Sequence, residues 1–241
     1  MPTRKETYRL SYALLQKTRD DSLAWETEGL LSSDENKAVY FLNAHGVNNA
    51  ITNSVFAEQL LLGDYVLRDG IGLDLAFRLL KLGRTENLNG TDLIPKIIGQ
   101  YKDRRIAVFG SSEQTLIDLK ARLTKEGYTN IVAMEHGFHD DEHYVQACET
   151  AKPEILLLCM GMPRQEELSA KVKPHAKLTI CGGGWADFYS GTKSRAPVWV
   201  QKINMEWFYR LANEPVRLGK RYTVDIVRYF FNVALVWRYR P

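Results

Sequence analysis

The chain has 241 residues, enough for one large α/β domain or a domain with a small appendage. Hydrophobic residues make up 45% and charged residues 25%, which excludes a disordered chain, and a net charge of +3 gives no argument for nucleic acid. No run of about 18 uncharged apolar residues is present, so no helix is expected to span a bilayer, and residues 1–7 lead into no apolar stretch that reads as a signal peptide.

Along the chain, apolar runs alternate with amphipathic ones. Residues 8–15 read as a first strand and residues 20–31 as a helix capped by Asp20 or Asp21. Residues 38–42 are a strand, and residues 46–62 carry apolar side chains at helical spacing. A short strand at 65–67 precedes a helix at 73–82, and Asn89 or Thr91 opens the next helix. Strands are expected at 105–109, 130–134, 154–159 and 177–181, with helices at 113–126, 140–150 and 164–172 between them. This alternation predicts a mostly parallel sheet with right-handed crossovers. Continuous apolar strands such as Ile155-Leu156-Leu157-Leu158 fit a sheet covered on both faces.

The three cysteines, Cys148, Cys159 and Cys181, have no paired spacing and suggest buried free thiols in a reducing compartment. From Arg195-Ala196-Pro197 onward the character changes. Residues 198–211 are rich in large apolar and aromatic side chains, and residues 214–239 read as one helix. Residues 214–240 hold six Lys or Arg against two acids. A basic, aromatic, amphipathic helix suits a membrane surface. Its aromatic face also suits packing on the domain or on a second subunit, and the two uses are compatible.

Several turns carry residues with chemical potential. Asn43 and Asp69 each close an apolar strand, at the edge where open α/β sheets bind ligands. Asp69, next to Gly70-Ile71-Gly72, reads either as a general base or as a cap of the following helix. Gly110-Ser111-Ser112 opens a helix whose N–H groups could hold phosphate, or is a plain turn. In Gly161-Met162-Pro163-Arg164-Gln165-Glu166, Gln165 could bond a sugar or base edge and Glu166 could favour the helix dipole; a proline-started helix explains the run equally well. Gly182-Gly183-Gly184, followed by Asp187, reads as a ligand-facing loop, because three glycines let backbone approach a ligand. The run from His136 to His143 matches no standard zinc spacing, and Asp140 or Asp141 more simply caps a helix, so no metal is expected there. No D-x-D pair occurs, so the usual device for holding a metal on a nucleotide diphosphate is missing.

Taken in order, Asn43-Ala44, Leu67-Arg68-Asp69-Gly70-Ile71-Gly72, Gly90-Thr91-Asp92-Leu93-Ile94-Pro95, Phe109-Gly110-Ser111, His136-Gly137-Phe138, Gly161–Glu166, Gly182–Asp187, Arg195-Ala196-Pro197 and Glu206-Trp207-Phe208-Tyr209-Arg210-Leu211 strongly resemble the WecG/TagA/CpsF glycosyltransferases over roughly residues 38–222. The resemblance implies an α/β fold, with a Rossmann-like mostly parallel sheet flanked by helices in residues 1–197 and a C-terminal helical basic and aromatic appendage in residues 198–241. It implies an inverting, metal-independent enzyme without cofactor. Such an enzyme moves a sugar from a UDP-sugar to an undecaprenyl-diphosphate-linked glycan at the inner face of a bacterial membrane. Asp69 takes the place of the base. Asn43, Gly70, Thr91, Asp92, Gly110, Gln165, Gly183, Gly184, Asp187 and Arg210 fall at substrate positions. Arg217 and Arg221 lie where appendage arginines would meet diphosphates. His45-Gly46 stands where the family has Glu-Lys, and Asn87 where it often has Arg, so the donor sugar stays open among N-acetylmannosamine types and glucose. A dinucleotide oxidoreductase and a non-catalytic membrane scaffold remain as alternatives, and a homo-oligomer is possible.

Overall fold

Six strands form one sheet in the order β2-β1-β6-β5-β3-β4. They are β1 (Lys37–Leu42), β2 (Tyr65–Arg68), β3 (Ile106–Gly110), β4 (Ile131–Glu135), β5 (Ile155–Cys159) and β6 (Leu178–Cys181), and every pairing is parallel. The structure is a computed structural model that describes residues 3–203 and 205–241, apart from the side chains of Arg217 and Arg221. Side chains alternate across the sheet. Tyr40 and Leu42 of β1, with Leu156 and Leu158 of β5, enter one apolar cluster. Val39 and Phe41, with Ile155 and Leu157, enter the other. Both faces are therefore covered, which is why these strands read as unbroken apolar runs.

Residues 8–15 do not form a strand. They lie in α1 (Arg4–Leu23), which Thr3 and Glu6 start with a reciprocal capping box. Three of its inward positions are hydroxyls, Ser11, Thr18 and Ser22, which bond to carbonyls four residues back at 3.0, 2.8 and 2.7 Å. Those polar side chains hid the helical spacing of Tyr8, Leu14 and Leu15. Residues 24–31, expected as helix, are turns and bends. Asp21 and Ser22 also accept the Val66 and Arg68 N–H groups at 2.7 and 2.9 Å, closing the free edge of β2.

The helix expected at 46–62 is two, α2 (Ala44–Thr52) and α3 (Ser54–Leu61). Asn53 between them has extended backbone, and its side chain caps α3 through Phe56 N–H at 3.1 Å. α4 (Ile71–Leu79), α5 (Gly90–Ile98), α6 (Glu113–Lys125), α7 (Asp141–Ala151) and α8 (Arg164–Val172) form where helices were expected, and α9 (Trp185–Ser190) follows the glycine loop, where none was.

The C-terminal segment holds α10 (Val198–Lys202), α11 (Glu206–Asn213), α12 (Pro215–Tyr222) and α13 (Val224–Tyr239). The single helix expected at 214–239 breaks at Thr223, whose backbone leaves the helical region. The inner face of α13 belongs to the domain core: Tyr229, Val233 and Val236 are buried with Leu14, Leu15, Val47 and Phe77. Asn232 donates to Asn48 Oδ1 at 2.9 Å, Asn48 to Asp225 O at 2.7 Å, and Tyr229 Oη to Gly72 O at 2.8 Å. Packing thus explains the inward half of the aromatic tail. Val224, Val227, Phe231 and Trp237 face outward. Among the described residues, no helix is long and apolar enough to cross a membrane.

Candidate active site at the carboxyl edge of the sheet

β1 and β2 are neighbours in register, so the residues that follow them emerge side by side. Asp69 is held by its N–H, which donates to Leu42 O at 2.8 Å. Asn43 starts α2, its Oδ1 accepting from Gly46 N–H at 3.1 Å, while its Nδ2 donates to Asp69 Oδ2 at 3.4 Å. Asp69 does not cap α4: Gly70 occupies the cap position, and no side chain bonds there. Gly70 has a φ of 89° and open space around the place of a Cβ, so the backbone conformation is what calls for glycine. Its N–H donates to Asn87 Oδ1 at 2.7 Å.

Two cavities meet at this pair. One, of about 460 Å³, lies over the ends of β1, β5 and β6 and is walled by polar side chains and the glycine loop 182–184. The other, of about 450 Å³, runs between α4 and the C-terminal helices, with Ile71, Leu75, Trp207, Ile226 and Phe230 in its walls. Asn43, His45, Asp69, Thr91 and Arg210 line both. Each volume falls within the ~300–1,000 Å³ range of small-molecule sites.

Gln165 sits in the floor of the first cavity. Its Oε1 accepts from Gly161 N–H at 3.2 Å and Gly183 N–H at 2.9 Å, and its Nε2 donates to Glu166 Oε1 at 2.8 Å. This ties the start of α8 to the glycine loop and leaves one amide hydrogen for a ligand. Glu166 is not at the surface of the helix start, where the dipole argument would put it. It is fully buried, and burial pushes its carboxyl up to about 7.

Gly183, Gly184 and Asp187 line the same cavity. Asp187 pairs with Lys193 at 2.9 Å and accepts the Ser111 hydroxyl. Arg210, from α11, stacks its guanidinium over Phe188 at 4.9 Å. Its Nε is buried without a hydrogen-bond partner among the described residues, beside both cavities. Gly70 lines only the second cavity.

Two expected substrate residues do not line either cavity. Asp92 is gripped by both terminal nitrogens of Arg195, which holds its carboxyl below the usual range. Arg195 in turn faces Glu206 at 3.5 Å, so this chain of charges ties α5 to α11. Gly110 is a packing glycine, since a Cβ there would collide with the Cys159 backbone. In the same turn the Ser111 N–H already donates to Cys159 O at 3.0 Å, so it is not free for phosphate. The side chains of Arg217 and Arg221 lie outside the described residues. Sequence reasoning missed Lys193 as a lining residue, which lies beyond the glycine loop and α9. It also missed Glu135, which gathers with His139 and His143 so that one donor atom from each lies within 4.8 Å of the others.

The profile of the Glycosyl transferase WecG/TagA/CpsF family matches residues 12–241. The N-acetylglucosaminyldiphosphoundecaprenol N-acetyl-beta-D-mannosaminyltransferase of Staphylococcus aureus strain MRSA252 is 28% identical over 204 residues, covering 82% of this chain and 80% of that protein. The proteins of the same name in strains MW2 and NCTC 8325 / PS 47 are 27% identical with the same coverage. The chain belongs to the WecG/TagA/CpsF family and is a glycosyltransferase.

Proposed function

We propose that this family member transfers a hexose or N-acetylhexosamine, of N-acetylmannosamine type or glucose, from a UDP-sugar to an undecaprenyl-diphosphate-linked saccharide in bacterial surface polysaccharide synthesis. The observation that carries the reading is the position of Asp69 and Asn43 on the border of both cavities. A transferase needs two substrates to meet at one reacting group. The polar, glycine-walled cavity suits a nucleotide sugar. The second cavity, with its apolar walls beside the C-terminal helices, suits the acceptor, and the name of the S. aureus relatives supports a lipid diphosphate there.

In this mechanism an Asp69 oxygen takes the proton of an acceptor hydroxyl. The hydroxyl oxygen bonds to the anomeric carbon from the face opposite the nucleotide, the carbon–oxygen bond to the diphosphate breaks, and UDP leaves with the electron pair. Configuration inverts. Asn43 steadies the carboxylate and Gln165 offers its remaining amide hydrogen to the donor. Charge building on the leaving diphosphate requires positive groups close by. Arg210 and Lys193 are available in the cavity wall. The absence of a D-x-D pair in the sequence supports transfer without a metal on the diphosphate.

The lipid acceptor calls for peripheral attachment to the inner membrane face. The outward apolar residues of α13, with Arg228 and Arg238, support that attachment. A panel of UDP-sugars incubated with a lipid-diphosphate N-acetylglucosamine acceptor, with products read by mass, tests the function. A mass gain of one sugar supports it, and no transfer from any donor overturns it.

A further inference from the structure

Beside the polar cavity but outside its lining, at the sheet edge formed by β4, three imidazoles and a carboxylate crowd together. Glu135 is the last residue of β4, His136 and His139 lie in the loop that follows, and His143 is in the first turn of α7. Glu135 Oε2 stands 2.9 Å from His143 Nε2 and 3.6 Å from His139 Nε2. The His139 and His143 rings stack with centroids 3.7 Å apart and planes 15° apart, so both aim the same nitrogen at the same oxygen. His136 stacks on His139 at 4.0 Å.

Such a stack is costly for charged imidazoles. Neutral imidazole is the form that binds metals. The backbone around the cluster is also fixed. Asp140 Oδ1 accepts the His143 N–H at 2.8 Å, the His139 N–H donates to Tyr144 Oη at 3.2 Å, and Tyr144 donates to His136 O at 2.7 Å.

We propose that Glu135, His139 and His143 form a binding site for a divalent first-row transition metal of the Zn²⁺ class, with water completing the coordination. Zinc with imidazole nitrogen and carboxylate oxygen at ~2.0–2.2 Å puts tetrahedral ligand atoms ~3.3 Å apart, and the observed 2.9 and 3.6 Å bracket that spacing. Two imidazoles and one carboxylate select this class over Mg²⁺ and Ca²⁺, which prefer oxygen alone. None of the three ligands lines either cavity, so the ion takes no part in sugar transfer. The loop that the ligands bracket carries Gly137 and Phe138 into the wall of the polar cavity, and Gly137 N–H donates to Ser111 O at 2.9 Å. A bound ion staples that wall in place.

The test is calorimetric titration of the full chain with Zn²⁺ at pH 7.5 after chelator treatment and desalting. The three cysteines are buried and do not compete. The expected result is one Zn²⁺ per chain, undisturbed by millimolar Mg²⁺. Binding should weaken at least tenfold in His139→Ala and His143→Ala but stay unchanged in His175→Ala. Far-UV circular dichroism checks that the variants are folded. In parallel, Zn²⁺ should raise the melting temperature of the parent and not of His143→Ala. No saturable binding, or His139→Ala and His143→Ala binding as tightly as the parent, overturns the proposal.

Discussion

Asn43 Nδ2 donates to Asp69 Oδ2 at 3.4 Å, across the ends of two adjacent parallel strands and on the seam between two cavities. Asn43 also caps α2, so its removal mixes two effects. Asn43→Ser separates them. Serine keeps a capping oxygen but is too short to reach the carboxylate. Turnover should fall about tenfold, the worth of one hydrogen bond of ~1–1.5 kcal/mol, while the denaturation midpoint changes little. Steady-state kinetics with chemical denaturation of both proteins checks this. Equal turnover, or an unfolded variant, contradicts the assignment.

Arg210 is expected to contact a diphosphate. Arg210→Ala should lower kcat/KM by about 10–100-fold, the equivalent of a charge-assisted bond of ~1.5–3 kcal/mol. Arg210→Lys should restore part of the loss, because charge returns without the planar fork. Initial rates against UDP-sugar concentration decide the matter. A loss below twofold in the alanine variant would remove Arg210 from the mechanism.

Glu166 makes stability depend on pH. Its carboxyl titrates near 4.5 when exposed and is pushed up to about 7 by burial. The folded protein therefore holds the proton more tightly. Glu166 adds stability that is full below pH 4.5 and is lost as pH rises through about 7. The loss is at most about 3 kcal/mol. Melting curves of the parent and Glu166→Gln from pH 4.5 to 8 should therefore diverge, with the parent losing ground as pH rises. Parallel curves would mean that the buried carboxyl titrates normally.

Val224, Val227 and Phe231 recur along the outer face of α13, with Trp237 near its end. Phe231→Ser combined with Trp237→Ser should reduce co-flotation with anionic vesicles and leave the melting temperature close to that of the parent. Flotation of the parent should fall with added salt, as expected for basic residues worth ~1 kcal/mol each near an anionic surface. Deleting α13 is a poorer test, since Tyr229, Val233 and Val236 would leave a hole in the core. Unchanged flotation of the double variant would argue for another attachment surface.

The sheet was legible in the sequence because its strands are buried on both faces and read as unbroken apolar runs bounded by glycine or polar turns. α1 was not, because Ser11, Thr18 and Ser22 satisfy their hydroxyls within the helix and so take apolar positions without an apolar signature. The breaks at Asn53 and Thr223 carry no proline or glycine and depend on tertiary packing. Asn43, Asp69, Gln165 and the glycine loop were readable as polar groups at strand ends. The charge chain that holds Asp92 was not, because Arg195 lies 103 residues away. Glu135 was overlooked for a different reason: it ends β4, and only the shape of the turn after it brings His139 and His143, four and eight residues on, back against its carboxylate.

Removal of the acceptor proton by the Asp69 carboxylate is the step on which the proposed transfer turns. Its most direct test is the rate of sugar transfer by Asp69→Asn and the parent, from one UDP-sugar to one lipid-diphosphate acceptor, with product counted by mass. The variant keeps the size of the side chain and the ability to bond Asn43, so the fold and both cavities should persist. Transfer should drop by about 10²–10⁴ with donor binding retained. Turnover within a few-fold of the parent would show that Asp69 is not the base.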